Sequence, residues 1–398
     1  MMVPDHTGRP LLVLFANTDW YLYNFRRTLA LAAVAAGHEV LLISPPGEYG
    51  ERLRAFGLRW EPLAMDRRSL NPLREFGLLW RLVRLFRHER PVLVHGFTIK
   101  CVVYGALAAR VAGVRARVNA VAGLGYVFTS HDLTARVLRP LVKAAMRLAL
   151  GGKHARLILQ NPDDVALFGR ARLVDARSIR LIRGSGVDCA RFAPRDTDAQ
   201  PGQPLRVLLA ARLLWDKGIA EYVEAARTLR GDGRKVVFLL AGMPDPGNPA
   251  TVPEAEVRGW VGEGVVEWLG HVDDMAVLFA SVDIVVLPSY REGLPKSLIE
   301  AAACGLPLVT CDVPGCHEVV SDGVNGLLVP VRDAAALTVA IAKLLDSPEL
   351  RRRMGEAARA RALAEFDERI VIDKTLAVYG EVLDWNPSIS GKVGHAGH

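Results

Sequence analysis

The chain contains few cysteines for its length, and it contains no long apolar run. Its five cysteines are odd in number and show no CxxC spacing, which predicts neither a disulfide framework nor a zinc site. No uninterrupted apolar stretch reaches about 20 residues, and no signal peptide precedes the first predicted strand. We therefore expect a reduced, cytosolic protein that needs no metal or other cofactor. The cysteines are Cys101, Cys189, Cys304, Cys311 and Cys316.

Charge is abundant, and it is unevenly distributed along the chain. Residues 1–195 hold 30 Lys and Arg against 14 Asp and Glu, a net charge of +16, whereas residues 196–398 hold 20 against 29, a net charge of −9. The first half is therefore expected to meet an anionic partner. Basic amphipathic helices are predicted over residues 72–90 and around Pro140, which either begins or kinks the second helix. They favour an anionic membrane surface over nucleic acid, because no recognisable nucleic-acid reader motif accompanies the charge.

Length and the order of predicted elements indicate two domains. A chain of 398 residues that is 51% apolar is long for one domain and can fill two cores. Short apolar strands alternate with helical stretches, and the pattern repeats from Leu205 onward, which predicts an α/β protein with two doubly wound domains. The strands predicted in the first half are Leu11–Ala16, Val40–Ser44, Val92–His95, Val118–Ala122 and Leu157–Gln160.

Composition also suggests where the domains begin and end. We expect a first domain over residues 1–195 and a second over residues 204–365, with a linker near Arg191–Pro204, which is rich in Pro, Asp and Gln. A C-terminal segment over residues 366–385 is expected to be helical. Residues 386–398 contain Gly, Ser and His without periodicity and are expected to be disordered.

The most informative local pattern contains Glu292 and Glu300. Asp283–Pro288 is typical of a buried parallel strand, and Ser297–Cys304 is an Ala-rich helical stretch. The intervening loop carries Gly293, which permits close backbone approach, and the helix N-terminus offers N–H groups to an anion. Glu300 lies about two turns beyond Glu292, where it can accept hydrogen bonds from a diol such as ribose, and Glu292 can do the same for a sugar ring. This pattern suits a nucleotide sugar.

A second cluster supports the first. Leu205–Arg212 is predicted to be a strand that runs into a loop containing Lys217, followed by a helix over Ile219–Leu229. Arg212 and Lys217 then stand at the carboxyl end of a strand, where open α/β sheets bind ligands. Their guanidinium and ammonium groups can supply the charge neutralisation that a metal supplies elsewhere.

The block from Leu287 to Gly326 resembles the donor-binding signature of the retaining family 4 glycosyltransferases, in which seven residues separate two glutamates. The resemblance implies the GT-B architecture, two Rossmann-like domains facing across a cleft, and a C-terminal helix that crosses back to the first domain. It implies that Glu300 binds ribose, that Glu292 contacts the donor sugar, and that catalysis rests on Arg212, Lys217 and Glu292. The donor-binding residues expected on this basis are Gly186, Arg212, Lys217, Val272, Glu292, Gly293, Leu294, Lys296, Ser297 and Glu300.

Motifs of the first half resemble the subgroup that acts on undecaprenyl-diphosphate-linked saccharides, including N-acetylgalactosaminyl transferases. The motifs are Asn17–Arg26, Arg68–Pro72, Thr98–Gly105 and Ala122–Phe128. The resemblance implies a UDP-sugar donor, a polyprenyl-diphosphate-linked acceptor, and a peripheral position on the inner face of the cytoplasmic membrane. The residues expected to contact the acceptor or the membrane are Asn17, Tyr21, Arg68, Lys100, Arg136, Arg139, Lys143 and Arg147.

The sequence departs from the family pattern in two places, and other functions stay open. The Gly-Gly loop after the first strand is absent, and Val121–Gly125 stands where many members have a histidine. His95 is interpreted as structural. A dinucleotide-dependent oxidoreductase is disfavoured, because Gly123-Leu-Gly125 lacks the third glycine of the fingerprint. A sugar-nucleotide epimerase of the same architecture and a non-catalytic nucleotide-sugar binding protein remain as alternatives.

Overall fold

The computed structural model describes residues 8–66, 69, 71–121, 133–195 and 202–383, and for residues 133–139, 141 and 142 it describes the backbone alone. Arg68, the motif Ala122–Phe128 and the tail over residues 386–398 lie outside these ranges, as do the side chains of Arg136 and Arg139. The chain forms two compact units. The second comprises Gly186–Ile370, and the first comprises the residues up to Ser185 together with those from Val371 onward.

The first unit is built on a parallel sheet whose seven described strands have the order β3-β2-β1-β4-β5-β6-β7. The order reverses between β1 and β4. The central strands β1 and β4 are buried along their whole length because both faces of the sheet are covered. The strands are β1 Leu11–Phe15, β2 Glu39–Ser44, β3 Arg59–Pro62, β4 Leu93–Phe97, β5 Ala116–Val121, β6 Ala155–Leu159 and β7 Ile179–Leu181.

The helices of the first unit begin at recognisable caps. The Thr18 hydroxyl accepts a hydrogen bond from the Tyr21 N–H (3.1 Å), and Asn71 caps a helix that has proline at its first position. Pro140 lies inside its helix rather than at the start. No described helix combines the length and apolarity needed to cross a bilayer. The helices are α1 Asp19–Phe25, α2 Arg27–Ala35, α3 Tyr49–Ala55, α4 Pro72–Glu89, α5 Ile99–Ala112, α6 Leu133–Leu150 and α7 Pro162–Arg170.

The second unit contains a parallel sheet whose six described strands have the order β10-β9-β8-β11-β12-β13. Its core includes Tyr222, whose buried hydroxyl lies 2.8 Å from the Val207 carbonyl oxygen and 2.9 Å from that of Leu239. The strands are β8 Leu205–Ala210, β9 Val236–Ala241, β10 Glu267–Gly270, β11 Ile284–Leu287, β12 Leu308–Cys311 and β13 Gly326–Val329. The helices of this unit are α8 Ile219–Gly231, α9 Glu254–Gly262, α10 Met275–Ala280, α11 Lys296–Ala303, α12 Ala334–Asp346 and α13 Pro348–Arg361. The last helix, α14 Glu368–Leu383, begins in this unit and belongs to the first unit from Val371 onward.

The units divide at Ser185 and Ile370, which differs from the predicted ends at residues 195 and 365. The reason is backbone pairing: the Val187 N–H donates to the Phe366 carbonyl, and the Val187 carbonyl accepts from the Glu368 N–H, both at 3.0 Å. A π-helical turn over Ala362–Phe366 precedes α14. From Val371 onward, α14 contributes buried side chains to the core of the first unit.

Candidate active site

The predicted donor residues lie on loops that leave two neighbouring strands of the second unit. The strand order reverses between β8 and β11, and the loops after these strands carry Lys217 and Glu292, respectively. Ligands of open α/β sheets bind at the carboxyl ends of strands where the order reverses. The structure therefore brings the two sequence motifs, about 75 residues apart, to the same edge of the sheet.

Glycine allows these two loops to pack backbone against backbone. Gly218 has a φ of 71°, and a Cβ at this position would lie 2.8 Å from the Pro288 carbonyl carbon and closer still to its oxygen. The Tyr290 N–H donates to the Asp216 carbonyl (2.9 Å) beside this contact. No other residue type fits here, because an added Cβ would push the loop of Lys217 away from that of Glu292.

Glu292 is held by contacts to both its side chain and its backbone. Its Oε1 accepts hydrogen bonds from the Lys217 ammonium and from the Ser289 hydroxyl, the latter at 2.7 Å. Its N–H donates to the Pro314 carbonyl (3.2 Å), and a Cβ on Gly315 would lie 2.5 Å from the Glu292 carbonyl oxygen. An ammonium and a carboxylate are thus fixed in contact at the edge of the sheet, able to bind a phosphate oxygen and a sugar hydroxyl.

Glu300 lies in α11 and is buried. Burial raises the pKa of its carboxyl group, and the ammonium of Lys296, 3.5 Å from Oε1, opposes this rise. The helix begins at Lys296, directly after Pro295. The side chain of Pro295 cannot cap the first N–H groups of α11. This end of α11 combines donors for an anion with a carboxylate that can accept hydrogen bonds from a diol.

Arg212 follows β8, but its described ion pair is with a residue that the sequence did not suggest. Its Nη1 lies 2.8 Å from Asp245 Oδ2, on the loop after β9, and its side chain is 63% exposed. An exposed pair of this kind contributes about 0–1 kcal/mol, so the guanidinium can change partners at low cost. Gly242 follows β9 with a φ of 132° and lies close to the Ala211 carbonyl, and a glycine directly after a predicted strand is a sequence signal that could have pointed to this third loop.

The remaining residues predicted to bind the donor differ in how deeply they lie in the second unit. Val272 is half-buried against the core of the second unit, Leu294 is buried, and Ser297 and Gly293 are half-buried. Gly186 was predicted to bind the donor, but it has a φ of 75°, and a Cβ at this position would collide with the backbone of Glu368. The backbone of Glu368 leaves no room for a side chain at position 186, so this contact accounts for the glycine without a contact to the donor.

In the first unit, the predicted acceptor residues differ in how they are engaged. Asn17 is half-buried just after β1, and the Tyr21 hydroxyl accepts from Arg26 Nη2 (2.9 Å). Lys100 was predicted to contact the acceptor, yet its ammonium donates to the Asp66 and Ser69 carbonyls and pairs with Glu75. These contacts tie the start of α5 to the loop before α4 and to Glu75, so Lys100 has a structural role here, and its contact with the acceptor stays a prediction.

The cations of α6 are also partly engaged by the protein. Arg147 is exposed, and its guanidinium donates to the Arg172 carbonyl (3.0 Å) and the Ala171 carbonyl (3.3 Å). Lys143 is half-buried. His95 is buried, and its Nδ1 lies 2.7 Å from the Tyr379 hydroxyl, in keeping with the structural interpretation.

Two family models match the chain: one described as glycosyl transferase 4-like over residues 12–161, and one described as glycosyl transferases group 1 over residues 193–361. The chain is 29% identical over 373 residues to the N,N'-diacetylbacillosaminyl-diphospho-undecaprenol alpha-1,3-N-acetylgalactosaminyltransferase of Campylobacter jejuni, covering 91% of this chain and 96% of that protein. It is 27% identical to the alpha-D-kanosaminyltransferase of Streptomyces kanamyceticus, covering 88% and 97%.

Solved structures have the same fold. A sucrose-phosphate synthase from Thermosynechococcus elongatus matches with a TM-score of 0.78 at 23% identity, over 94% of this chain and all of that one. HepE from Anabaena, crystallised with UDP and glucose, matches with a TM-score of 0.73 at 21% identity, over 93% and 99%. The predicted fold class, two Rossmann-like parallel-sheet domains of the GT-B type, is confirmed. The chain therefore belongs to the family 4-like glycosyltransferases, with a 4-like domain followed by a group 1 domain.

Proposed function

We propose that the protein is a metal-independent, retaining glycosyltransferase that moves an N-acetylhexosamine or a hexose from a UDP-sugar to a polyprenyl-diphosphate-linked saccharide in bacterial surface glycan assembly. The observation that carries this proposal is the contact of Lys217 with Glu292 at the strand-order reversal of the second unit, beside the uncapped start of α11. The name of the Campylobacter jejuni relative supports the lipid-linked acceptor, and the UDP in the Anabaena structure supports the nucleotide.

In this proposal, the reaction depends on charge stabilisation. Breaking the bond between the sugar C1 and the phosphate oxygen leaves negative charge on the nucleoside diphosphate, and Lys217, Arg212 and the N–H groups of α11 offset it. The leaving phosphate oxygen accepts the proton of the attacking acceptor hydroxyl on the same face of the sugar, which retains the configuration without a protein nucleophile. Glu292 orients the sugar through its hydroxyls, and Glu300 accepts hydrogen bonds from the ribose.

The test is release of nucleoside diphosphate from a panel of UDP- and GDP-sugars, in the presence of a chelator, with and without a polyprenyl-diphosphate saccharide. We expect nucleoside diphosphate to be released from one UDP-sugar, and only when the polyprenyl-diphosphate saccharide is present. Conversion of the donor without the lipid would favour the epimerase, and donor binding without turnover would favour the binding protein.

A matched pair of variants tests the site itself. Arg212→Met should lower kcat/KM by about 100-fold, the loss typical of removing one preorganised charged donor. Arg258→Met is the control, because Arg258 is 70% exposed in the same unit and also forms an ion pair with a single carboxylate, that of Glu254. Equal activity of the two variants would remove Arg212 from the site.

We also propose that the first unit binds an anionic membrane surface through α4. Three large apolar side chains on this helix point to solvent: Leu73 is 84% exposed, Phe76 is 70% exposed and Trp80 is 55% exposed. Arg84 lies over the Trp80 ring, 5.7 Å from its centroid, and further arginines follow along the helix. Apolar side chains flanked by cations are the pattern of helices that lie in the headgroup region of anionic bilayers.

Vesicle co-sedimentation tests this membrane proposal. The protein should sediment with vesicles containing phosphatidylglycerol and stay in solution with pure phosphatidylcholine, because the attraction is partly electrostatic. Replacing Phe76 and Trp80 by serine should weaken sedimentation, whereas Val339→Ser should not, since Val339 is 68% exposed but belongs to the negatively charged half. Sedimentation of all variants alike would assign membrane binding to another surface.

A further inference from the structure

Arg26 is a buried cation that pairs with no acidic side chain among the residues the structure describes. The residue lies between α1 and α2, it is 5% exposed, and it forms no ion pair within the described part of the chain. The guanidinium carbon lies 4.3 Å from the centroid of the Phe97 ring and 5.5 Å from that of Tyr21. Nη2 donates to the Tyr21 hydroxyl, and Nε has no hydrogen bond. Burying a guanidinium this way is costly unless an anion joins it.

The charge lies at the point where ligands bind to sheets of this kind. The strand order of the first unit reverses between β1 and β4, α1 follows β1, and Phe97 is the last residue of β4. The crevice beyond the carboxyl ends of two such strands is the usual ligand position in an open α/β sheet. Arg26 and Phe97 therefore lie near the strand-order reversal of the first sheet, as Lys217 and Glu292 do in the second.

The residue after Phe97 is strained and leaves a helix N-terminus without a side-chain cap. Thr98 has a φ of 68° and a ψ of 150°, a conformation that costs a β-branched residue about 1–3 kcal/mol. Its Oγ1 is buried without a hydrogen bond of ordinary geometry, beside the weakly polar thiol of Cys101. The 14-residue helix α5 starts next, with no acidic residue in its first turn. A strained residue before helix N–H groups that its side chain does not cap fits an anion site.

The other described polar groups around Arg26 do not compensate its charge. The pKa of His95 is held well below its usual value by burial and then by the charge of Arg26, so the imidazole is neutral. Burial raises the pKa of Tyr379, the charge of Arg26 opposes this rise, and the hydroxyl stays protonated. The carboxylate nearest in sequence, Asp19, accepts hydrogen bonds from the Tyr49 and Gly50 N–H groups instead.

We propose that Arg26, Tyr21, Thr98 and the N-terminus of α5 bind a diphosphate group. This rests on the proposed function, because the diphosphate is that of the lipid-linked acceptor. The Tyr21 hydroxyl accepts from Arg26, so its own hydrogen is directed elsewhere and can be donated to the same anion. Arg26 and Tyr21 are thus acceptor-positioning residues that hold the diphosphate while the saccharide reaches the donor sugar.

The test measures binding of inorganic diphosphate to the full chain, with UDP at saturation so that the donor site is filled. Calorimetry should detect diphosphate binding to the wild type, and diphosphate should raise its Tm. Arg26→Met should weaken that binding at least about tenfold, the loss expected for a charge-assisted contact, without lowering the Tm of the ligand-free protein. Arg27→Met is the control, because Arg27 stacks on Tyr23 and Phe56 at 4.6 and 4.7 Å from their centroids. It should bind diphosphate like the wild type.

Other outcomes are distinguishable. Equal diphosphate binding by the wild type and Arg26→Met, or none by a wild type that binds UDP, would overturn the inference and leave the proposed function standing. Failure of UDP itself to bind would count against the proposed function, and a titration without UDP would then judge the diphosphate site alone. If Arg26→Met does not fold, Tyr21→Phe serves instead. It should raise the KM for the lipid-linked acceptor and leave the KM for the donor unchanged, and an unchanged acceptor KM would refute the role of Tyr21 and the site with it.

Discussion

Gly218→Ala should disconnect the two loops of the donor site. The native φ of 71° is left-handed and costs a residue with a Cβ about 1–2 kcal/mol. The new Cβ would also lie 2.8 Å from the Pro288 carbonyl carbon. Since carbon atoms make favourable contacts at about 3.5–4.0 Å, the loops must separate by about 1 Å.

The separation should cost activity as well as stability. A displacement of about 1 Å in a group that positions the substrate costs about 100-fold in rate. Lys217 is the residue before Gly218, so it would move together with Gly218. We expect kcat/KM for donor and acceptor to fall by about 100-fold. The free energy of unfolding should fall by about 2–4 kcal/mol, as for other strained or overpacked positions. Steady-state nucleotide release and urea unfolding at 25 °C measure the two quantities.

Two further variants separate the causes. Gly218→Asn keeps the Cβ but tolerates a positive φ better than alanine does, so a loss as large as that of Gly218→Ala assigns the effect to the clash. Gly259→Ala, inside α9 with no atom within 4 Å of the added Cβ, should be neutral or stabilising by about 0.5–1 kcal/mol. Full activity of Gly218→Ala with an unchanged free energy of unfolding would refute the account of loop packing.

Two other predictions concern buried carboxylates. Glu300→Gln should weaken UDP-sugar binding by about 10- to 150-fold, the range for hydrogen bonds to a charged group. Because burial raises the pKa of Glu300 in the fold, the folded protein binds this proton more tightly than the unfolded chain, and stability falls as the pH rises above about 4.5. The Tm advantage of Glu300→Gln over the ligand-free wild type should therefore be larger at pH 8 than at pH 5, and a smaller advantage at pH 8 would contradict the sign. Asp19→Asn should lower the free energy of unfolding by about 1–3 kcal/mol, because Asp19 Oδ2 accepts from the Tyr49 and Gly50 N–H groups, Oδ1 accepts from the Trp20 N–H, and an amide keeps an oxygen at only one of these two positions. An unchanged free energy of unfolding in urea would show that these hydrogen bonds contribute nothing.

The sequence predicted the elements that are apolar, that are long, or that end at glycine or proline. The strand before Glu292 and the helix that contains Glu300 were expected within one or two residues of where they lie. The edge strand β3, which reads Arg-Trp-Glu-Pro, was missed because a strand with one buried side chain has no periodic signal. The loops after β8 and β11 were expected to lie at the same edge of the sheet, because ligands of open α/β sheets bind at the carboxyl ends of the strands.

What could not be predicted depends on pairing between distant side chains. Lys100 reads as a free cation in the sequence, and only the fold places Glu75 and two carbonyls around it. Arg212 likewise finds Asp245 on a third loop. Arg26 is the opposite case, since only the fold shows that no acidic group pairs with it among the described residues.

The first unit is closed by residues from the other end of the chain. Val371, Val378, Tyr379 and Val382 of α14 complete its core, whereas the second unit is one continuous segment. During synthesis, the second unit can therefore reach its final fold before the first, although its sequence emerges later. Until α14 is made, the nascent first unit presents an unfinished apolar face to the ribosome surface and to chaperones, so a stop codon that removes only α14 should send the protein to proteolysis.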